Sequence, residues 1–422
     1  MRILFATVPE KTIFLPMVPL TWALRTAGHE VRVAGQPAFS DVITQAGLTA
    51  VPVGRNVDTM RLLQLYGMTA EQLERVRVGL PAPYDIVEDP TGGTWERTLD
   101  AHAETADGDR AESFPMIAGL VDFARHWRPD LVIWTPFSYA GAIAAKACGA
   151  AHARLLFSVD VFGMTRERFL QLRAEQPPEK RADPMADWLG DYAGKYGFDF
   201  TEGMITGDFT IDQLPASLSM RADLDYLPMR YIPYGGPAVV PGWLRTPPER
   251  PRVALTLGTT ATDMFAGYTA GVQDILDSLA DLDIELVATI AESEQAKLSR
   301  VPGNARLVSY VPLHALAPTC SAVISHGGFG TVLTTALHGV PQLAMGYHFD
   351  EPIMARDLAA QGGALALQPG QATGQAVRES VLRLLDEPAF RDRAHDLRDE
   401  IHAQPTPNQL VPQLEKLTAE HR

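Results

Sequence analysis

The sequence predicts an α/β protein built from two doubly wound, Rossmann-like parallel-sheet domains that face each other across a cleft. Three observations carry this. The stretch 322–343 reads as a strand, a glycine-rich turn and a helix. Short apolar runs alternate with amphipathic stretches from Ile3 to Val53 and again after Arg252. A proline- and glycine-rich segment separates the two series.

Size and charge set the outer limits. With 422 residues and 46% hydrophobic content, the chain can bury two ordinary cores. A net charge of −15, with no Lys/Arg cluster to offset it, opposes nucleic acid or an anionic bilayer as partner. The run Ile3 to Val8 is too short for the apolar core of a signal peptide, and Ala140 to Ala151 is broken by Lys146, so a cytoplasmic protein is expected. Cys148 and Cys320 stand alone and far apart, which suits reduced buried thiols. No Cys/His spacing suggests a metal.

In chain order, Ile3 to Val8 is a strand of the kind covered on both faces. A helix follows with Leu20, Ala23, Leu24 and Ala27 on one stripe, Pro19 in its first turn and Gly28 as its stop. Glu30 to Ala34 and Thr49 to Val53 are strands, with a helix over 37–46 between them, so right-handed crossovers in one parallel sheet are expected. From Gly54 to about Arg110 the pattern dissolves into mixed charge, Gly and Pro, and reads as an irregular insertion that forms either an acceptor surface or decoration. Order returns with a helix over 112–127, strands at Leu131 to Trp134 and Ala153 to Phe157, and a helix from Ala140 to Cys148. The stretch 164–196 carries Phe169, Leu172, Trp188, Leu189 and Tyr192, either the wall of a hydrophobic acceptor site or the stripe on which its helices dock.

The segment 235–251 holds five prolines and three glycines, so it excludes regular helix or central strand and reads as the interdomain linker. This divides the chain into residues 1–234, the linker, and a second domain from 252. There the alternation repeats through strands near 252–258, 284–290, 305–311, 322–325, 343–345 and 364–367, and a charged helical stretch fills 371–421.

The candidate chemistry sits on the 322–343 stretch. Gly327, Gly328 and Gly330 let the backbone turn sharply, so the free N–H groups of a helix's first turn can face an anion. The Thr331 hydroxyl and a ring N–H of His326 can join them. This reads either as a phosphate site or as a glycine-rich turn that only packs helix on strand; it lacks the Lys-Ser/Thr of a P-loop and the full G-x-G-x-x-G pattern, which disfavours ATP hydrolysis and simple nicotinamide binding. Further on, Asp350 and Glu351 follow a strand end beside that turn, placed either to accept hydrogen bonds from sugar hydroxyls or as an ordinary acidic start of a helix.

Taken together, His326-Gly-Gly-Phe-Gly-Thr331, Gly339-Val-Pro-Gln342 and Phe349-Asp-Glu351 resemble the donor-binding signature of family 1 nucleotide-sugar glycosyltransferases of the GT-B fold. Val18-Pro-Leu-Thr-Trp-Ala-Leu24, Trp127-Arg-Pro-Asp130, Thr256-Leu-Gly258 and Pro312-Leu-His-Ala-Leu316 extend the likeness over nearly the whole chain. They look most like actinobacterial enzymes that attach deoxysugars or aminodeoxysugars to macrolide and aromatic polyketide antibiotics, anthracyclines among them.

The resemblance implies an N-terminal acceptor domain, a C-terminal domain over 252–395 that holds a dTDP-sugar, and a last helix over 396–422 that returns to the N-terminal domain. The base would rest near Tyr310-Val311. The Thr259 loop and the His326 to Thr331 turn would take the diphosphate, and Asp350 and Glu351 the sugar. Inversion, no metal and no resident cofactor are expected. The partners implied are the nucleotide sugar, a hydrophobic aglycone, a cytochrome-P450-like helper protein and a second copy of the chain as a homodimer. At the base position usual in the family the sequence departs, because Ile13 stands where a histidine is expected, and Thr135 occupies a second position where relatives carry a carboxylate. Asp160 and Glu10 are the remaining candidates for general base. The readings left open are a displaced carboxylate, an acceptor that needs little help, and a catalytically silent homologue acting as an assembly subunit. An epimerase of the same fold is a further rival.

Overall fold

The computed structural model describes residues 1–57, 78–89, 94–258 and 267–422. Among these residues two parallel sheets form. The first holds β1 (Arg2–Ala6), β2 (Glu30–Gly35), β3 (Ala50–Pro52), β4 (Leu131–Trp134), β5 (Ala151–Leu155), β6 (Phe209–Asp212) and β7 (Tyr226–Pro228), in the order β3-β2-β1-β4-β5-β6-β7. The second holds β8 (Arg252–Thr256), β9 (Glu285–Thr289), β10 (Ala305–Val308), β11 (Ala322–Ser325), β12 (Gln342–Ala344) and β13 (Ala364–Ala366), in the order β10-β9-β8-β11-β12-β13. The architecture is GT-B.

Side-chain alternation divides the first sheet's residues between two cores. Ile3 and Phe5 pack with Leu20 and Leu24 on one face, while Leu4 and Ala6 pack with Leu120 and Ile143 on the other. Because both faces are covered, β4, β11 and β12 are buried at every position, which explains why they are mostly apolar and do not alternate.

In each sheet the strand order reverses once, between β1 and β4 and between β8 and β11. Loops leaving those strands diverge there, opening a crevice at the strand ends where ligands bind in such folds. The loop after β1 and the Thr135–Ser138 turn stand at the first crevice, and Gly258 and the His326 turn at the second. After the second sheet, the Pro407–Glu420 helix inserts Leu410, Val411 and Leu414 into the core around Leu20 and Leu24, so the chain's last helix rejoins its first lobe.

The structure corrects one expectation, decides between two readings of another segment and adds two strands. The irregular insertion ends well before Arg110, since one helix runs from Trp95 to Trp127 with Thr94 accepting from the Arg97 N–H at 3.3 Å as its cap. Its buried stripe is Trp95, Thr98, His102, Ala106, Asp109 and Ser113, a helical period concealed by polar members. The aromatic residues of 164–196 are docking stripe and not acceptor wall. Phe169 is fully buried against His102 and Trp95, and Trp188 packs on Tyr139. Finally, β6 and β7 carry a weak sequence signal because each is short and holds polar or proline residues. Within β6, Thr210 Oγ1 accepts from the buried Arg154 guanidinium. No described helix is long and apolar enough to cross a membrane.

Candidate active site

The second lobe's site is organised by His326. Buried apolar packing brings β11 to its end at Ser325, and Gly327 turns the chain with φ of +82° while its N–H donates to Ser325 Oγ at 3.2 Å. The Phe329–Ala336 helix then starts, capped at Gly328. Thr331 and Val332 donate back to the Gly328 carbonyl, but the N–H groups of Gly328, Phe329 and Gly330 make no hydrogen bond with any described residue. Three free amides at a helix start form an anion cradle.

Two glycines are required by the imidazole itself. A Cβ at Gly328 would stand 2.2 Å from His326 Nε2, and one at Gly258 would stand 2.7 Å from its Cε1. The ring is wedged between the two turns that flank the crevice. Burial pulls its pKa down to about 4 against the opposing pull of the Thr256 backbone, so it is neutral at physiological pH. Its Nδ1 is buried and has no partner among the described residues. A neutral ring with an uncommitted nitrogen can donate one hydrogen bond to an anion without changing charge.

Glu351 supports the same corner. Its Oε2 accepts from the N–H groups of Tyr347 and His348 at 3.1 and 2.8 Å, tying the loop after β12, while Oε1 lies 3.8 Å from His326 Nε2. Burial raises its pKa to about 8, with the Asp350 charge adding and the two N–H donors opposing. Beside it lies a recess of ≈ 370 Å³, open solvent included, lined by His326, Tyr268, Thr269, His348 and Glu351 among others. Asp350 reaches across the cleft to accept from Ser158 of the first lobe. Val311 is buried in a small core with Leu244 and Ala254, so it could meet a ligand only through its backbone, whereas Tyr310 is exposed. Thr259 lies outside the described residues.

An aromatic chamber joins the lobes at Asp350. Phe349, with φ of +43°, meets Tyr84 at 5.5 Å between ring centroids, Phe162 at 6.1 Å and Phe137 at 6.4 Å. Phe137 is also held in the left-handed region, at φ of +72°. Such backbone outliers cluster where function over-determines geometry. Spacing in sequence could not group these rings, because they come from four separate segments.

The first lobe disposes of one candidate base and keeps the other. Asp160 is wholly buried. Its Oδ2 accepts from Arg154 at 2.5 Å and from Tyr226 Oη at 2.6 Å, and its Oδ1 caps the following helix at the Gly163 N–H. A carboxylate so enclosed is a structural ion pair and has no face for an acceptor hydroxyl. Glu10 is partly exposed and uses Oε1 to cap the short 11–14 helix, accepting from Thr12 N at 3.2 Å. Ile13 is buried in that helix. Among the described residues no three His, Cys, Asp or Glu side chains gather as metal ligands.

Two family models match the chain. Residues 22–258 match the erythromycin biosynthesis protein CIII-like N-terminal domain, and residues 273–417 match the corresponding C-terminal domain. The chain belongs to this family of antibiotic glycosyltransferases. Over its full length it is 46% identical to 98% of 10-deoxymethynolide desosaminyltransferase of Streptomyces venezuelae, and 44% identical to 97% of aklavinone 7-beta-L-rhodosaminyltransferase of Streptomyces galilaeus. Among solved structures, the glycosyltransferase VinC in complex with dTDP covers both chains completely at 37% identity with a TM-score of 0.87. The transferase is therefore a nucleotide-sugar-dependent enzyme, and the amides around His326 are its candidate diphosphate cradle.

Proposed function

We propose that this transferase moves a deoxysugar, by preference an aminodeoxysugar, from a dTDP-linked donor onto a polyketide aglycone with inversion at the anomeric carbon. One observation carries the reading: three uncommitted amides and a neutral imidazole converge where the strand order of the second sheet reverses. As the anomeric carbon gains cationic character, negative charge grows on the leaving diphosphate. Donors fixed around it beforehand stabilise that charge by roughly 3 kcal/mol each in a site closed to water. An acceptor held by the first lobe approaches from the face opposite the leaving group, which is the geometry of inversion.

The dTDP assignment is supported by the dTDP complex of VinC, and the aminodeoxysugar by relatives named for desosamine, rhodosamine and mycaminose. The test is incubation of the purified protein with a panel of dTDP-sugars and macrolide or anthracycline aglycones, with and without a P450-like helper. Glycosylated product is followed by mass spectrometry and its anomeric configuration by NMR. Conversion of a dTDP-aminodeoxysugar with inverted configuration is expected. Retention of configuration, or transfer only from neutral or uridine-linked sugars, would overturn the respective part of the reading.

A further inference from the structure

Residues 78–89 belong in sequence to the first lobe, yet they join the second lobe at the loop that follows β12. The Gly79 N–H donates to the Tyr347 carbonyl at 2.8 Å, and Gly79 pairs with His348 as a parallel β-bridge. Further along the segment, Tyr84 sets its ring edge-on to Phe349, 5.5 Å between centroids. Leu80 and Tyr84 are buried in one core with Phe329, Ile353 and Met354 of the second lobe and with Phe162 and Leu218 of the first. The segment is a strap anchored in both lobes.

The strap and the second lobe hold the same loop from opposite sides. Glu351 Oε2 accepts from the N–H groups of Tyr347 and His348 at 3.1 and 2.8 Å, while Gly79 takes the Tyr347 carbonyl. Phe349 follows with φ of +43°, a left-handed conformation that a bulky residue keeps only where its surroundings over-determine it. Those surroundings include the rings of Tyr84, Phe162 and Phe137, all from the first lobe. Removing the Tyr84 ring frees Phe349 to relax towards an unstrained φ. The backbone that would move lies between His348 and Glu351, and both line the recess beside His326. Arg356 and Glu88 add an exposed ion pair at 3.3 Å across the junction, which contributes little.

On the glycosyl-transfer reading above, we propose that this strap positions the sugar side of the donor site and that Tyr84 is its positioning residue. Through Gly79 and Tyr84 the first lobe sets the loop that presents Glu351 to the sugar. The diphosphate cradle does not depend on the strap, because the Gly327 turn and the helix it starts lie within 325–331. Sugar and diphosphate are therefore held by different parts of the molecule. The cradle is complete in the second lobe, whereas the sugar pocket is complete only when the lobes meet at the strap. A donor bound without that meeting is held by its diphosphate and not by its sugar.

The experiment uses the full chain and compares two ligands by calorimetry, dTDP alone and a dTDP-aminodeoxysugar. Tyr84→Ala is expected to weaken the dTDP-sugar about tenfold, the scale of a lost aromatic contact, and to shift dTDP by less than about threefold. Retained dTDP binding reports that the variant is folded. Tyr84→Phe keeps the ring and should match the unaltered protein on both ligands. Phe349→Ala removes the contact from the other side and should reproduce the split, and the double variant should bind the dTDP-sugar no worse than Phe349→Ala alone. Binding needs no turnover, so failure to convert any aglycone would count against the transfer reading, while the two affinities still judge the strap. Unchanged dTDP-sugar affinity in Tyr84→Ala, equal weakening of both ligands, a loss in Tyr84→Phe as large as in Tyr84→Ala, or additive losses in the double variant would each overturn the proposal.

Discussion

The two crevices of this enzyme occupy equivalent positions in equivalent sheets, yet they are assembled in opposite ways. The crevice of the second sheet is largely local: β11, the Gly327 turn and the following helix supply His326 and the free amides within seven consecutive residues, 325–331. The crevice of the first sheet draws Glu10, Tyr84 and Phe137 from three separate segments. On the proposed function, a constant diphosphate would be met by backbone geometry, whereas a varying acceptor would be met by side chains that tertiary packing brings together.

The largest effect expected from breaking this contrast concerns stability and not turnover. Asp160→Asn leaves the Arg154 guanidinium buried without its counter-charge, so a loss of about 3–5 kcal/mol is expected by chemical denaturation. A merely catalytic defect in a fully stable variant would restore Asp160 as a base. Next, His326→Ala should lower kcat by roughly 10²–10³-fold, the scale for loss of one preorganised donor. Because the ring titrates at about 4, it should contribute no limb near pH 6.5 to the profile of the unaltered enzyme.

The smallest effect is at the cleft. Ser158→Ala releases Asp350 from its contact across the lobes, and donor KM should fall by less than tenfold, consistent with one hydrogen bond. An increase would mean that Ser158 helps hold the sugar.

Much of this was legible in the residues. The strand at Leu131–Trp134 and the strand–turn–helix at His326 could be read directly, because unbroken apolar runs and closely spaced glycines are local signals. The helix from Trp95 escaped notice because His102 and Asp109 occupy its buried stripe, and polar residues there break the apolar period that marks a helix. Asp160 was proposed as a base from its place after a strand, but only the fold shows Arg154 and Tyr226 closing over it.

By itself, then, the sequence determined the strand and helix runs, the family likeness and the glycine-rich turn at His326, since each is marked by residues near one another in the chain. Tertiary structure alone decided that the Asp160 carboxylate is spent on an ion pair. That choice depends on burial and on how the fold closes Arg154 from the adjacent strand and Tyr226 from a distant one over the carboxylate, for which linear spacing carries no signal.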